Sequence, residues 1–252
     1  MRLLIAIPIH NELKYVNQVL DKVLGYHGDV LAIDDGSTDG TAELLQDRSD
    51  IQLIRHPVNR GYGQSLIDAF KHADARGYDW VITMDCDEQH EPEMIPEFIC
   101  AIESDESDII SGSRYLEPRH DDDPPPGDRQ RVNSSITATL NELFGWKLTD
   151  SFCGFKAHRV SAMRKLCLDE PGYAFPMQLW PQAYRVGLRI TEIPVRLIYN
   201  DPNRSFGGVL DETAIRLKHY LDVLAREIDR PMPDPAKASE AEQSMCGCGC
   251  PP

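Results

Sequence analysis

The 252-residue sequence predicts a single α/β domain on a mostly parallel sheet with helices packed on both faces. Three observations carry that expectation. Apolar strand-like runs alternate with stretches of helical period through the first half. The first run, Leu3–Ile9, is almost continuously apolar, the pattern of a strand covered on both sides. Polar clusters follow each of the first four runs, where open parallel sheets place their ligands.

The elements follow in order. Leu13, Val16, Val19, Leu20, Val23 and Leu24 recur at helical spacing. Residues 30–33 read as a second strand, and Thr38 or Asp39 is placed to cap a short helix through Leu45. Strands are expected at 51–54, 80–84 and 108–111, with helices at 64–75 and 92–102; Pro92 and Glu93 suit a first helical turn. Residues 117–128 hold three consecutive aspartates and three consecutive prolines, which predicts an exposed, mobile loop. A helix at 132–144, a strand at 189–198 and an amphipathic helix at 210–228 complete one domain over residues 1–228. Residues 229–252, rich in Pro, Ala, Glu and Ser, are expected to form a disordered tail. Its Cys246, Cys248 and Cys250 suffice for partial coordination of a soft metal, not for a closed tetrahedral site.

Composition narrows the function. The chain carries 26 basic and 41 acidic residues, a net charge of −15, which gives no overall attraction to nucleic acid. No apolar run is long enough to span a bilayer. The apolar N-terminus lacks a charged leader and a cleavage site, so it reads as a strand rather than a signal peptide. Seven cysteines at irregular spacing argue against a disulfide framework and for a reducing cytoplasm.

The chemistry lies in the clusters. They are His10-Asn11-Glu12, Asp34-Asp35-Gly36-Ser37, Asn59-Arg60-Gly61-Tyr62-Gly63 and Asp85-Cys86-Asp87-Glu88-Gln89-His90. In an extended segment Asp85 and Asp87 point to one side and Cys86 to the other. Two carboxylates plus the Gln89 carbonyl suit Mg²⁺ or Mn²⁺, with phosphate oxygens completing the octahedron. Asp35-x-Ser37-x-Asp39-Gly40 imitates the start of a calcium loop, but Gln46 stands where the bidentate glutamate belongs and a strand leads in. Gly61-x-Gly63 lacks the third glycine of a dinucleotide fingerprint.

These motifs, taken in order with Ile7-Pro8-Ile9, Ser113-Arg114-Tyr115, Asp150-Ser151-Phe152-Cys153-Gly154-Phe155-Lys156 and Gly172-Tyr173-Ala174-Phe175, resemble the family 2 glycosyltransferases. The likeness spans about residues 3–208 and is nearest to the dolichol-phosphate and polyprenyl-phosphate mannosyl- and glucosyltransferases. It implies the Rossmann-like GT-A fold and a nucleotide-sugar donor. By the same resemblance Pro8, Glu12 and Asp35 hold the base and ribose of that donor. Asp85, Asp87 and Gln89 then hold the metal and the sugar-phosphate. Apart from the resemblance, Asp87, Arg114 and Arg131 are taken as the catalytic residues.

The acceptor is read from an absence. Transfer to a neutral hydroxyl needs a carboxylate to take the proton. Position 178, where the polyprenyl branch usually shows Glu, is Gln178, which otherwise reads as a helix-surface glutamine. A phosphate acceptor is already anionic and needs no base; Arg114, Arg129, Arg131 and Arg204 are candidates to clamp it. The expectation is therefore an inverting hexosyltransferase that uses Mg²⁺ or Mn²⁺ and acts on a polyprenyl phosphate, cytoplasmic and weakly attached at the inner membrane face. Two rivals are the same fold acting on a soluble or polysaccharide hydroxyl and a donor-binding regulatory protein. A nucleotidyltransferase would need a basic glycine-rich loop after the first strand, and this chain has none there.

Overall fold

Seven strands form one sheet in the order β3-β2-β1-β4-β6-β5-β7. The computed structural model describes residues 1–118, 120, 122–199 and 208–231. The tail cysteines and Arg204 lie outside the described residues. The first four strands are β1 (Leu3–Ile9), β2 (Val30–Asp34), β3 (Gln52–Arg55) and β4 (Trp80–Thr83). They run parallel, with β1 central between β2 and β4. Chain direction across the sheet reverses at the β1–β4 seam, the place where such sheets open a crevice.

Alternation along β1 explains why its apolar run is unbroken. Leu4 and Ala6 enter one core; Leu3, Ile5, Ile7 and Ile9 enter the other. The second core is closed by α1 (Val16–Tyr26), α2 (Thr41–Gln46) and α4 (Ile95–Glu103). The first is closed by α3 (Tyr62–Ala75), α5 (Gly127–Phe144), α6 (Val160–Met163), α7 (Phe175–Arg185) and α8 (Thr213–Asp229). Both faces are thus covered, as the sequence predicted. Gly40, rather than Thr38 or Asp39, caps α2, although Asp39 still accepts the Thr41 N–H at 3.0 Å. Among the described residues no helix is long and apolar enough to cross a membrane.

The second half departs from expectation in three ways. A strand not anticipated, β6 (Lys156–Arg159), inserts antiparallel between β4 and β5 (Ile109–Ser113). The expected 189–198 strand is only β7 (Ile190–Pro194), whose parallel partner β5 ends at Ser113. Within the expected 117–128 loop, whose described residues are largely exposed, Asp123 is bonded to the chain after β7. Asp123 N–H donates to the Leu197 carbonyl at 3.0 Å, and the Asp123 carboxylate accepts the Tyr199 N–H at 2.8 Å. Its last proline, Pro126, caps α5, which starts at Gly127 and not at 132.

Candidate active site

A cavity of about 1070 Å³ opens at the carboxyl ends of β1 to β4. The loops after β1 and β2 are laced into one floor. Asn11, at φ 57, donates its N–H to Ser37 Oγ at 2.9 Å and accepts the Thr38 N–H at 2.8 Å. His10 Nδ1 meets the Asp35 carbonyl at 2.8 Å, so that nitrogen carries the proton. Asp39 reaches back to accept the Leu13 N–H at 3.1 Å. Burial alone would raise the Asp39 carboxyl, but bonds from the Thr41 hydroxyl, the Thr41 N–H and the Leu13 N–H outweigh it and lower the pKa.

Asp35 builds the next wall. Its Oδ1 accepts the Arg60 N–H at 2.7 Å, and its Oδ2 accepts the Gly61 N–H at 2.8 Å. His56 approaches with Nδ1 at 2.7 Å from Asp35 Oδ1 and Nε2 at 3.1 Å from Asp68. Gly36, at φ 70, must be glycine: a Cβ there would collide with the backbone of Val58 and Asn59. Asp35 therefore lines the cavity while its carboxylate shapes the loop after β3.

Asp85, Asp87 and Gln89 all reach the cavity, but not by strand alternation. β4 stops at Thr83, and Glu88 sits at φ 59 in a tight turn, while Cys86 between the two aspartates is buried in the second core, as expected of a small hydrophobe. Asp87 Oδ1 accepts the Gln89 N–H at 3.0 Å. Tyr62 donates its hydroxyl to Asp85 Oδ1 at 3.0 Å. Behind Asp85 lies His90, which accepts the Asp85 N–H on Nδ1 at 2.8 Å. Burial lowers the His90 pKa to about 4, so the ring is neutral near pH 7, as an accepting Nδ1 requires. His90 thus orients the Asp85 segment from outside the cavity wall.

Asp85 and Asp87 bring two carboxylates, oxygen donors of the kind a divalent cation takes, to the cavity. Among the described residues no group of three or more His, Cys, Asp or Glu side chains could hold an ion, so a bound phosphate would have to contribute. Two features favour a ligand here. The Gln89 amide nitrogen is buried without a hydrogen-bond partner among the described residues, although its side chain lines the cavity. At Gly154 a Cβ would stand 2.8 Å from Asp85 Oδ2, so glycine leaves that carboxylate room.

The facing wall is basic and aromatic. Arg114 is held by Asp150 and lines the cavity with Arg129 from α5 and Arg216 from α8. Pro8 and Glu12 line the opposite side of the cavity. Arg131 lines neither side: it is exposed and absent from the wall. With α5 beginning at Gly127, the inner stripe falls on Arg129, Val132 and Asn133, and a helical period carries residue 131 to the solvent side. Arg216 escaped the sequence reading because it resembles the polar face of an amphipathic helix, yet it is 2% exposed. Gln178 is likewise no surface residue: it is buried and stands outside the cavity.

Comparison with known proteins agrees with this architecture. A model of the glycosyl transferase family 2 domain matches residues 4–167. Undecaprenyl-phosphate mannosyltransferase of Micrococcus luteus is 28% identical over 231 residues, covering 87% of this chain and 94% of that protein. Polyprenol monophosphomannose synthase of Mycolicibacterium smegmatis is 28% identical, covering 77% and 76%. Glucosyl-3-phosphoglycerate synthase of Mycobacterium tuberculosis, solved with Mn²⁺, uridine diphosphate and glucosyl-3-phosphoglycerate, superposes with a TM-score of 0.68 at 20% identity, covering 91% of this chain and 81% of that one. A fold of this order, a crevice at its switch point and the matched motifs within it make the chain a member of glycosyl transferase family 2.

Proposed function

We propose that the cavity transfers a hexose, with inversion, from a GDP- or UDP-sugar to the phosphate of a polyprenyl phosphate. One observation carries the acceptor assignment. The half of the wall built by residues 114–220 supplies Arg114, Arg129 and Arg216 and, among the described residues, no carboxylate. A hydroxyl acceptor needs a base on that side; a phosphate, with a second pKa of about 6, arrives deprotonated and needs cations instead. The relatives named for polyprenyl and undecaprenyl phosphates support the same class.

In this reading Pro8, Glu12 and Asp35 form the nucleotide side, and Asp85, Asp87 and Gln89 hold Mg²⁺ or Mn²⁺. The ion would neutralise charge on the departing diphosphate. Arg114, gripped by Asp150, and Arg129 orient the acceptor phosphate against the sugar. An acceptor oxygen bonds to the anomeric carbon as that carbon's bond to the diphosphate oxygen breaks. The nucleoside diphosphate leaves with the electron pair. Attachment to the cytoplasmic face is peripheral and weak, since a charge of −15 gains little from anionic lipid.

The test is incubation of the protein and Mn²⁺ with labelled GDP- and UDP-hexoses in three arms: a short-chain polyprenyl phosphate, a soluble sugar phosphate and a neutral sugar. Label in the lipid arm alone is expected. Label in the soluble phosphate arm alone would keep the phosphate chemistry and reject the lipid; label in the neutral arm alone would reject both.

A further inference from the structure

We propose that Gln178 is a positioning residue of the donor site, locking the 169–173 loop so that Tyr173 braces Tyr62 against Asp85. The inference rests on the donor-site reading above and adds how Asp85 is held from across the molecule.

The Gln178 side chain is fully committed. Its Oε1 accepts the N–H groups of Asp169 at 2.7 Å and Glu170 at 2.9 Å. Its Nε2 donates to Asp169 Oδ1 at 2.7 Å and to Glu227 Oε2 at 3.0 Å. Only an amide offers one accepting and one donating end at this spot. A glutamate would set a third carboxylate against Asp169 and the buried Glu227 of α8. Gln182 secures the other oxygen of Glu227 at 2.9 Å, so α7, α8 and the loop close on one another.

From the lock the contacts run to the site. Carbonyls of Glu170 and Pro171 press on the start of α3 so closely that a Cβ at Gly61 or Gly63 would collide with them. The Pro171 carbonyl accepts the Gln64 N–H at 3.0 Å. Two residues further, the Tyr173 ring stacks on Tyr62 at 5.9 Å and 16°. The Tyr62 hydroxyl then donates to Asp85 Oδ1. Outer hydrogen bonds of this kind fix the orientation of a ligating carboxylate.

The experiment compares wild type, Gln178→Glu, Gln178→Glu/Glu227→Gln and Tyr173→Ala. Calorimetry gives their affinities for UDP and GDP with and without Mn²⁺, beside thermal unfolding. Gln178→Glu is expected to lower the Mn²⁺-dependent affinity about tenfold or more while sparing the Mn²⁺-free affinity. Glu227→Gln in the same chain should restore most of it, because the new amide donates to the new carboxylate. Tyr173→Ala, at a ring 40% exposed at the far end of the locked loop, should give the same loss with an unchanged unfolding temperature. Wild-type Mn²⁺-dependent affinity in either single variant overturns the relay, and Tyr173→Ala decides alone if Gln178→Glu does not fold. A wild-type protein whose nucleotide affinity ignores Mn²⁺ overturns the donor-site reading and the relay with it.

Discussion

Asp150 grips Arg114 by two parallel bonds, Nε to Oδ2 at 2.6 Å and Nη2 to Oδ1 at 3.0 Å. The same carboxylate accepts Asn133 Nδ2 at 2.8 Å and the N–H groups of Phe152 and Cys153 at 3.1 and 3.2 Å. A planar fork held at both ends is pre-aimed, so Arg114 loses little freedom on meeting a phosphate.

Asp150→Ala should therefore destabilise by about 1–3 kcal/mol, because it leaves the partly buried Arg114 guanidinium and three N–H groups without their acceptor. Urea unfolding measures that loss. The pH dependence has a definite sign. Burial alone would raise the Asp150 carboxyl, but Arg114, with Lys156 and Asn133 behind it, holds it well below the usual range. A depressed folded pKa gives stability that is present above the unfolded value of about 3.9 and lost as pH falls below it. Wild type should thus lose stability in acid more steeply than Asp150→Ala; parallel curves would refute the ion pair's role.

Asp87→Ala should abolish transfer and Mn²⁺-dependent nucleotide binding while the protein stays folded. Asp87 is bonded through Oδ1 to the Gln89 N–H, a bond local to the turn after β4. Circular dichroism and a nucleotide-release assay suffice. Turnover surviving in the variant, or in wild type with excess chelator, would remove the cation from the scheme.

Asp35→Ala should act on shape before it acts on contact. It leaves the Arg60 and Gly61 N–H groups without their acceptor, a loss of about 1–3 kcal/mol, and lets the loop after β3 drift. Stability and nucleotide affinity should fall together. Equal affinity by calorimetry would take Asp35 out of the site.

Arg129→Ala should raise the acceptor KM about tenfold more than Arg131→Ala does, given that one charge-assisted phosphate bond contributes about 1.5–3 kcal/mol. Steady-state kinetics with a short-chain polyprenyl phosphate makes the comparison. Equal effects would return Arg131 to the acceptor side.

The first half of the fold was legible because its strands are apolar on both faces and its clusters sit at strand ends. β6 was not, since Lys156-Ala157-His158-Arg159 carries three polar residues in four positions. Its buried Lys156 bonds to the Cys153 carbonyl, a partner that no periodicity reveals. The arginine assignment turned on one boundary. Three prolines read as loop, yet they end at the cap of α5, and five residues of extra helix put Arg129 on the cavity side and Arg131 on the solvent side. Gln178 looked ordinary because its partners stand 9 and 49 residues away. Burial of an amide depends on folded neighbours, which a linear pattern does not contain.

Reversing one strand has an evolutionary consequence. Because β6 runs against β4, the chain enters it at the edge where β4 leaves, and Gly154 arrives beside Asp85. Residues 8–89 and residues 114–220 thereby come to opposite banks of one crevice from separate stretches of gene. The banks touch where Tyr173 stacks on Tyr62 and where Gly154 lies against Asp85, so a change on one is felt on the other. A lineage built on this sheet would therefore have to change both banks together at those contacts.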